Sequence, residues 1–348
     1  MTSGENSGRT EADEPLIRTV DLTRHFTLGR MFGKKQVLHA VDDFNLTIHE
    51  HEIVALVGES GSGKSTMARL LAKVYPPTRG EIRYRGRRLS KLRSRKDMLW
   101  YRGEVAMVFQ DPFTAFNPVF RISHGVMRNL ALHRPELSRN DRRAEAARMF
   151  ESVGLNRKTL RKFSYEMSGG ERQRVGFAQA LAVSPKLILA DEPVSMLDLS
   201  IRAGVLNMMS DLRDKQGVSI LYITHDLASA RYVADRVLVM YAGHLVEEGP
   251  TETILGEPKH PYTQLLLSAA DSQIEGEEIS GDTGEPPKVI NPTEGCRFRW
   301  RCPYAIEKCS QVTPRPTRIG ARSVACHVAV AEATAASGTS DKSPITNA

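Results

Sequence analysis

At residues 53–66 the chain reads IVALVGESGSGKST and then continues into MARLLAKV, a stretch with helical character. A continuous apolar run is what a parallel strand covered on both faces requires. The loop that follows satisfies G-x-x-x-x-G-K-[ST], and strand–loop–helix is the context in which that pattern has a mechanism. Gly58, Ser60, Gly61 and Gly63 allow backbone N–H groups to converge on phosphate, and the helix N-terminus favours negative charge there. Lys64 is placed to reach the β- and γ-phosphates, Ser65 to bind Mg²⁺, and Thr66 to close the motif. A glycine turn without ligand is the competing reading. Alone, the motif specifies a nucleoside triphosphate and nothing more.

Three further runs resemble the first: LILAD at 187–191, VSILYIT at 218–224 and RVLVMYAG at 236–243. Between them lie helical stretches such as 139–155, which Gly154 can end. Strands alternating with helices predict an α/β sheet. Phe44, Leu46 and Ile48 alternate as in a half-buried strand. Asp191 falls at the end of a buried strand, where a carboxylate can hold Mg²⁺ through water. Glu192 beside it can act as a general base on an attacking water.

The 348 residues are 41% hydrophobic and 26% charged, the balance of a globular protein. The apolar runs are too short to span a bilayer, and the N-terminus lacks a basic start followed by an apolar stretch. Both observations predict a cytoplasmic chain with reduced thiols. The net charge of +7 concentrates in RYRGRRLSKLRSRK at 83–96. A solvated face explains that run best. Anionic lipid is a weaker reading, and nucleic acid weaker again, since stacking aromatics are not interleaved.

MSGGERQRV at 167–175 matches the signature of ATP-binding cassette (ABC) proteins, and from about residue 16 to 255 the chain resembles that family. Other family motifs follow in order. Gln110 in VFQDP resembles the Q-loop, which meets Mg²⁺ and the transport partner. Asp198 in SMLD resembles the D-loop, and His225 in YITHD resembles the switch histidine at the γ-phosphate. Phe26 takes the position of the adenine-stacking aromatic, although core packing competes for it, as a plain buried histidine does for His225. The resemblance implies a P-loop NTPase fold of ABC type, with a RecA-like core, an antiparallel β subdomain and a helical subdomain. It also implies a head-to-tail dimer, in which Ser168, Gly169 and Gly170 of one subunit close over ATP bound by the other. Glu171 replaces the usual signature glutamine and Met196 the usual small D-loop residue. Glu171 is therefore expected to add negative charge near the partner's nucleotide.

Residues 256–328 resemble the C-terminal extension of oligopeptide/dipeptide importer ATPases. The resemblance implies a second, non-identical ATPase subunit, two membrane permease subunits, an extracytoplasmic binding protein, and a place on the cytoplasmic face of the membrane. Nucleic acid is not among the partners. Peptides, oligosaccharides and nickel all occur as cargo in that subfamily, and a soluble non-transport ATPase is the alternative of another class. For His260, Pro261 and Tyr262 a helix-start turn is explanation enough.

All four cysteines, Cys296, Cys302, Cys309 and Cys326, lie in this extension, with five, six and sixteen residues between them. Four thiols suit tetrahedral Zn²⁺ or an iron–sulfur cluster, while disulfides or simple burial remain open. Spacing does not choose. The resemblance implies a [4Fe–4S] cluster on all four, making the segment a small metal-binding extension. Arg297, Arg299, Arg301 and Lys308 are expected to offset its charge. The predicted organisation is a disordered stretch 1–15, a cassette 16–255, the extension 256–328 with a linker at 271–287, and a frayed tail 329–348.

Overall fold

The computed structural model describes residues 14–31, 33–110, 116–275 and 289–338. The expected disorder of residues 1–13, most of the linker and the last ten residues lie outside that range. The strands are β1 (Ile17–Met31), β2 (Lys34–Phe44), β3 (Thr47–Ile48), β4 (Ile53–Val57), β5 (Arg79–Tyr84), β6 (Arg87–Arg88), β7 (Val105–Val108), β8 (Leu187–Asp191), β9 (Ser219–Thr224), β10 (Arg236–Tyr241), β11 (His244–Pro250), β12 (Thr317–Ile319) and β13 (Arg322–Val324). The helices used below are α1 (Lys64–Leu71), α2 (Arg95–Glu104), α3 (Ser123–His133), α4 (Arg139–Ser152), α5 (Gly169–Leu181), α6 (Leu199–Gln216), α7 (Leu227–Val233), α8 (Thr251–Gly256), α9 (Pro261–Glu275), α10 (Glu307–Gln311) and α11 (His327–Gly338).

The chain divides into two compact units. The first comprises residues up to Arg24, Asp43–Ile53 and Ala68–Tyr222. Here the start of β1 pairs antiparallel with β3 and β5, and β5 with β6. β7 and β8 pair in parallel, and every residue of β8 is buried, as its unbroken apolar run predicts. Helices α3, α4 and α5 pack in the same unit. Ser138 caps α4 by accepting from the Asp141 N–H, and Gly154 ends it at φ 74°. The basic run surrounds β6 and α2. Arg83 and Arg88 pair with Glu81, Arg85 with Glu50, and Arg87 lies 4.9 Å from the Trp100 ring. Most of these side chains are exposed, which suits a solvated face.

The second unit comprises His25–Asp42, Val54–Met67 and the chain from Ile223 onward. β4 pairs in parallel with β10, whose other edge meets β11 antiparallel. β13 then adds to β11, with Glu247 opposite Val324, and β12 adds to β13. The cysteine-bearing segment therefore extends a cassette sheet by two strands. Its return after residue 288 is anchored too: Leu38 bridges Ile290, and the Asn291 side chain bonds both Val37 N and Lys35 O. The segment gains part of its stability from this strand addition.

Three local expectations change. The alternation at 44–48 is not one strand. β2 stops at Phe44, and the Asn45 amide turns to bond the backbone and carboxylate of Asp21. Phe44, Leu46 and Ile48 are buried all the same. The start of the linker, 271–275, continues α9. The low-complexity tail forms α11 up to Gly338, because its alanines are strong helix formers. Among the described residues no helix is long and apolar enough to cross a membrane.

Candidate functional site

The phosphate-type loop lies in the second unit, between β4 and α1. Gly58, Gly61 and Gly63 have φ of 152°, 80° and 110°, a region that L side chains avoid. Space adds a second demand. A Cβ on Gly58 would lie 2.2 Å from the Met240 carbonyl oxygen, and one on Gly63 equally close to that of Ala40. Lys64 is buried, and its Nζ donates to the carbonyls of Gly58 at 2.6 Å and Glu59 at 2.9 Å. Ser62 Oγ is buried and has no hydrogen-bond partner among the described residues. Glycine torsions, a buried ammonium and an unmet hydroxyl fit a phosphate-bearing guest. Ser65 and Thr66 begin the helix; Ser60 is exposed.

In the same unit Phe26 is half-buried on β1, so neither full core packing nor free exposure describes it. His225 directly follows β9 and is exposed, not the buried core histidine that competed for the position. Asp226 after it caps α7, accepting from Ala228 N and Ser229 N.

The first unit holds the carboxylates. Asp191 is buried at the end of β8. Glu192 has φ 47°, an uncommon backbone for a non-glycine residue and one that clusters at functional sites. Gln110 Nε2 donates to Glu192 Oε2 at 3.0 Å, across 82 positions of sequence. The structure thus joins two residues that sequence reasoning placed in separate motifs.

Ser168 is the N-cap of α5 in a capping box. Its Oγ accepts from Glu171 N, and Glu171 Oε2 accepts from Ser168 N at 2.9 Å. Glu171 also pairs with Lys162 at 3.1 Å. The Ser168 N–H, then Lys162, hold its carboxyl below the usual range. The negative charge expected at this position is present, and within this chain it has a cationic partner and a part in the helix cap. Gly170 is required sterically, because a Cβ there would meet Ile201 Cγ2 at 2.3 Å. Gly169 lies beside Leu197 in the same helix start. Met196, Asp198 and Leu199 are exposed at the start of α6.

In the second unit Cys296, Cys302, Cys309 and Cys326 line one pocket with His260 and Phe298. All four are free thiols. Gly295, at φ 102°, turns the chain where a Cβ would strike the Cys309 carbonyl at 2.6 Å, and Cys296 N donates to that same oxygen. Burial pushes the Cys296 thiol up to about 11, with the neighbouring cysteines adding to it. Burial also raises Cys302 and Cys326. Metal-ligating side chains whose donor atoms all approach within 4.8 Å form one group among the described residues: His25, His39 and Asp42, not the thiols. A tetrahedral Zn²⁺ would bring its sulfurs to ~3.8 Å of one another. No three of the four thiol sulfurs lie within 4.8 Å of one another.

The arginines expected around the thiols are each held by oxygen partners, Arg299 at the lining of the thiol pocket itself. Arg297 bonds Asp42 and the Ala242 carbonyl. Arg299 bonds the carbonyls of Glu294 and Cys296 and the Thr293 hydroxyl. Arg301 forms a two-pronged pair with Glu59 in the phosphate-type loop, at 2.8 Å on both oxygens. An acidic residue in an anion-binding loop needs such a cation, a signal the sequence contained and the motif masked. The helix-start turn holds, with His260 Nδ1 accepting from Tyr262 N. Tyr262 does more, since its hydroxyl accepts from Glu59 N at 2.8 Å.

A second cluster also escaped sequence reasoning. The rings of His25 and His39 lie 3.7 Å apart, tilted by 31°, and both bond Asp42. Burial opposes the Asp42 charge, but His25, Arg297 and His39 outweigh it and hold the carboxyl at about 2.

Comparison with known proteins agrees with this geometry. The model of the ABC transporter family matches residues 41–195, and that of the oligopeptide/dipeptide transporter C-terminal region matches 246–309. The dipeptide transport ATP-binding protein DppF of Escherichia coli is 38% identical over 319 residues, covering 90% of this chain and 94% of its own length. The oligopeptide transport ATP-binding protein OppF of Salmonella typhimurium is 40% identical over 314 residues, covering 87% and 93%. An ATP-binding cassette solved as a dimer with ADP and Pi superposes with a TM-score of 0.61 at 27% identity, over 68% of this chain and 98% of that one.

Proposed function

Because the chain belongs to the ABC transporter family and carries the C-terminal region of its oligopeptide/dipeptide branch, we propose that it is the ATP-hydrolysing subunit of a peptide importer. The observation that carries the hydrolytic reading is Glu192, beside buried Asp191, on a left-handed backbone and hydrogen-bonded by Gln110.

Each residue then has a task. The loop from Gly58 to Thr66 binds the triphosphate through its N–H groups and Lys64, with Phe26 against adenine. Ser65, Gln110 and Asp191 are the Mg²⁺ set, and that ion would neutralise charge on the phosphates. Glu192 takes the proton from the attacking water as its oxygen bonds to γ-phosphorus and the bond to the β-phosphate oxygen breaks. His225 supports the γ-phosphate. Ser168, Gly169, Gly170 and Asp198 serve the second subunit's nucleotide across a head-to-tail dimer. That subunit is non-identical, and the pair works beneath two permease subunits fed by an extracytoplasmic binding protein, on the cytoplasmic side of the membrane. A soluble ATPase without transport function has no use for an importer-type extension.

For the thiol pocket the reading is a [4Fe–4S] cluster. Four cysteines around one cavity, standing wider than Zn²⁺ would hold them, support it. The group would supply cross-links between strands and turns that have little core of their own.

The decisive experiment pairs Glu192→Gln with recovery from solubilised membranes. Hydrolysis should fall about a thousandfold while ATP binding persists. The chain should also co-purify with permease subunits. Normal turnover in the variant would remove Glu192 from the mechanism, and a chain recovered without permeases would favour the soluble ATPase.

A further inference from the structure

Glu59 is held at two points by residues 203 and 242 positions away. Its backbone N–H donates to the Tyr262 hydroxyl, and its carboxylate takes both arms of Arg301. The Arg301 side chain is 10% exposed. Its guanidinium lies 5.8 Å from the Tyr241 ring and 5.9 Å from that of Phe298, so aromatic faces fix it as well. The Glu59 carbonyl in turn accepts from Lys64 Nζ. A continuous run of contacts therefore leads from the extension to the ammonium of the phosphate loop. Without Arg301, a carboxylate would sit uncompensated in a loop built to attract anions.

We propose that Arg301 and Tyr262 are positioning residues for ATP binding, through which the C-terminal extension holds Glu59 neutralised and the phosphate loop in register. The proposal rests on the reading of residues 58–66 as the ATP site. Arg301 directly precedes Cys302, so the loop's anchor and the thiol pocket share one stretch of backbone.

The test is equilibrium binding of trinitrophenyl-ATP to the full-length chain. Arg301→Gln should weaken binding about tenfold, the scale of a charge pair coupled to a binding site. Tyr262→Phe should weaken it about threefold, since it removes one neutral hydrogen bond. The double variant Glu59→Gln with Arg301→Gln should recover to within about threefold of the parent, because the unpaired carboxylate is gone. A purely structural role for Arg301 predicts a double variant at least as weak as the single one, and that result would overturn the proposal. So would Arg301→Gln binding within twofold of the parent while Lys64→Ala has lost binding. Unchanged binding by Lys64→Ala would instead refute the ATP-site reading itself. If Arg301→Gln does not fold, Tyr262→Phe and the double variant carry the test.

Discussion

The phosphate loop and the thiol pocket solve the same problem, holding a guest more polar than the protein around it, by opposite means. In the loop the binding groups are backbone N–H donors, fixed by glycines wedged against the carbonyls of Met240 and Ala40. Such donors need no change of protonation and stand ready before any guest arrives. In the pocket the binding groups are thiol side chains, and burial raises three of them, Cys302, Cys326 and Cys296, the last up to about 11. Each must lose a proton to bind metal, so guest and site are completed together. One region is preformed and the other is conditional, and Arg301 ties the second to the first.

The largest expected effect tests preformation. Gly63→Ala puts a Cβ 2.2 Å from the Ala40 oxygen and 2.6 Å from Met240 Cε, at φ 110°. Together strain and overlap should weaken ATP binding by at least about a hundredfold. Titration with labelled ATP reads it directly, and a drop below tenfold would mean the loop adapts to its guest.

Conditional assembly is tested by Cys309→Ser, which removes a buried thiol whose backbone carbonyl accepts from Cys296 N. Iron and sulfide should be lost together on anaerobic purification. A loss of about 2–3 kcal/mol should lower the melting midpoint by roughly 3–4 °C in a chain of this length. The effect stops short of unfolding because β13 still pairs with β11 and Asn291 still holds the edge of β2. Stoichiometric zinc in the parent would correct the metal and keep the comparison.

Acid should distinguish the regions next. Burial holds His260 at about 3, and burial followed by the Arg297 charge does the same for His244. Both are neutral when folded and take a proton near pH 6.5 when unfolded. The unfolded chain therefore binds more protons between pH 6.5 and 3, and stability falls as pH falls through that window. Each histidine contributes about 1.4 kcal/mol per pH unit. Urea unfolding at pH 7.5, 6 and 5 should show the slope, and His244→Gln should remove one proton from it. An unchanged slope in that variant would mean His244 is protonated in the native state.

What could be read from the sequence follows the same division. Residues 58–66 and 187–192 are contiguous, so their torsions and chemistry are written locally. The cysteines announced a site by number, but its width depends on turns such as Gly295 that spacing does not encode. Glu59 with Arg301, and Asn291 with Val37, join positions more than 240 apart. No local pattern marks them. β12 and β13, three residues each, are too short for periodicity to register. Gln110 and Glu192 were each legible, while their hydrogen bond was not.

The smallest expected effect concerns Glu171, where the sequence suggested a flaw in the signature. Glutamine at this position keeps the capping box, because its amide oxygen can still accept from Ser168 N. What it loses is the pairing with Lys162, whose side chain is 38% exposed against 32% for Glu171. Pairs that wet are worth about 0–1 kcal/mol. Glu171→Gln should therefore change melting and ATP affinity by less than that amount. Lys162→Ala should do more, since it leaves the carboxylate charged without its cation, held by Ser168 and the helix start. Measuring both variants separates two accounts of one residue. If glutamine markedly tightens ATP-driven dimerisation, Glu171 opposes the partner's nucleotide in spite of Lys162. If alanine at 162 weakens dimerisation while glutamine at 171 leaves it alone, the ion pair is how this chain accommodates glutamate in its signature.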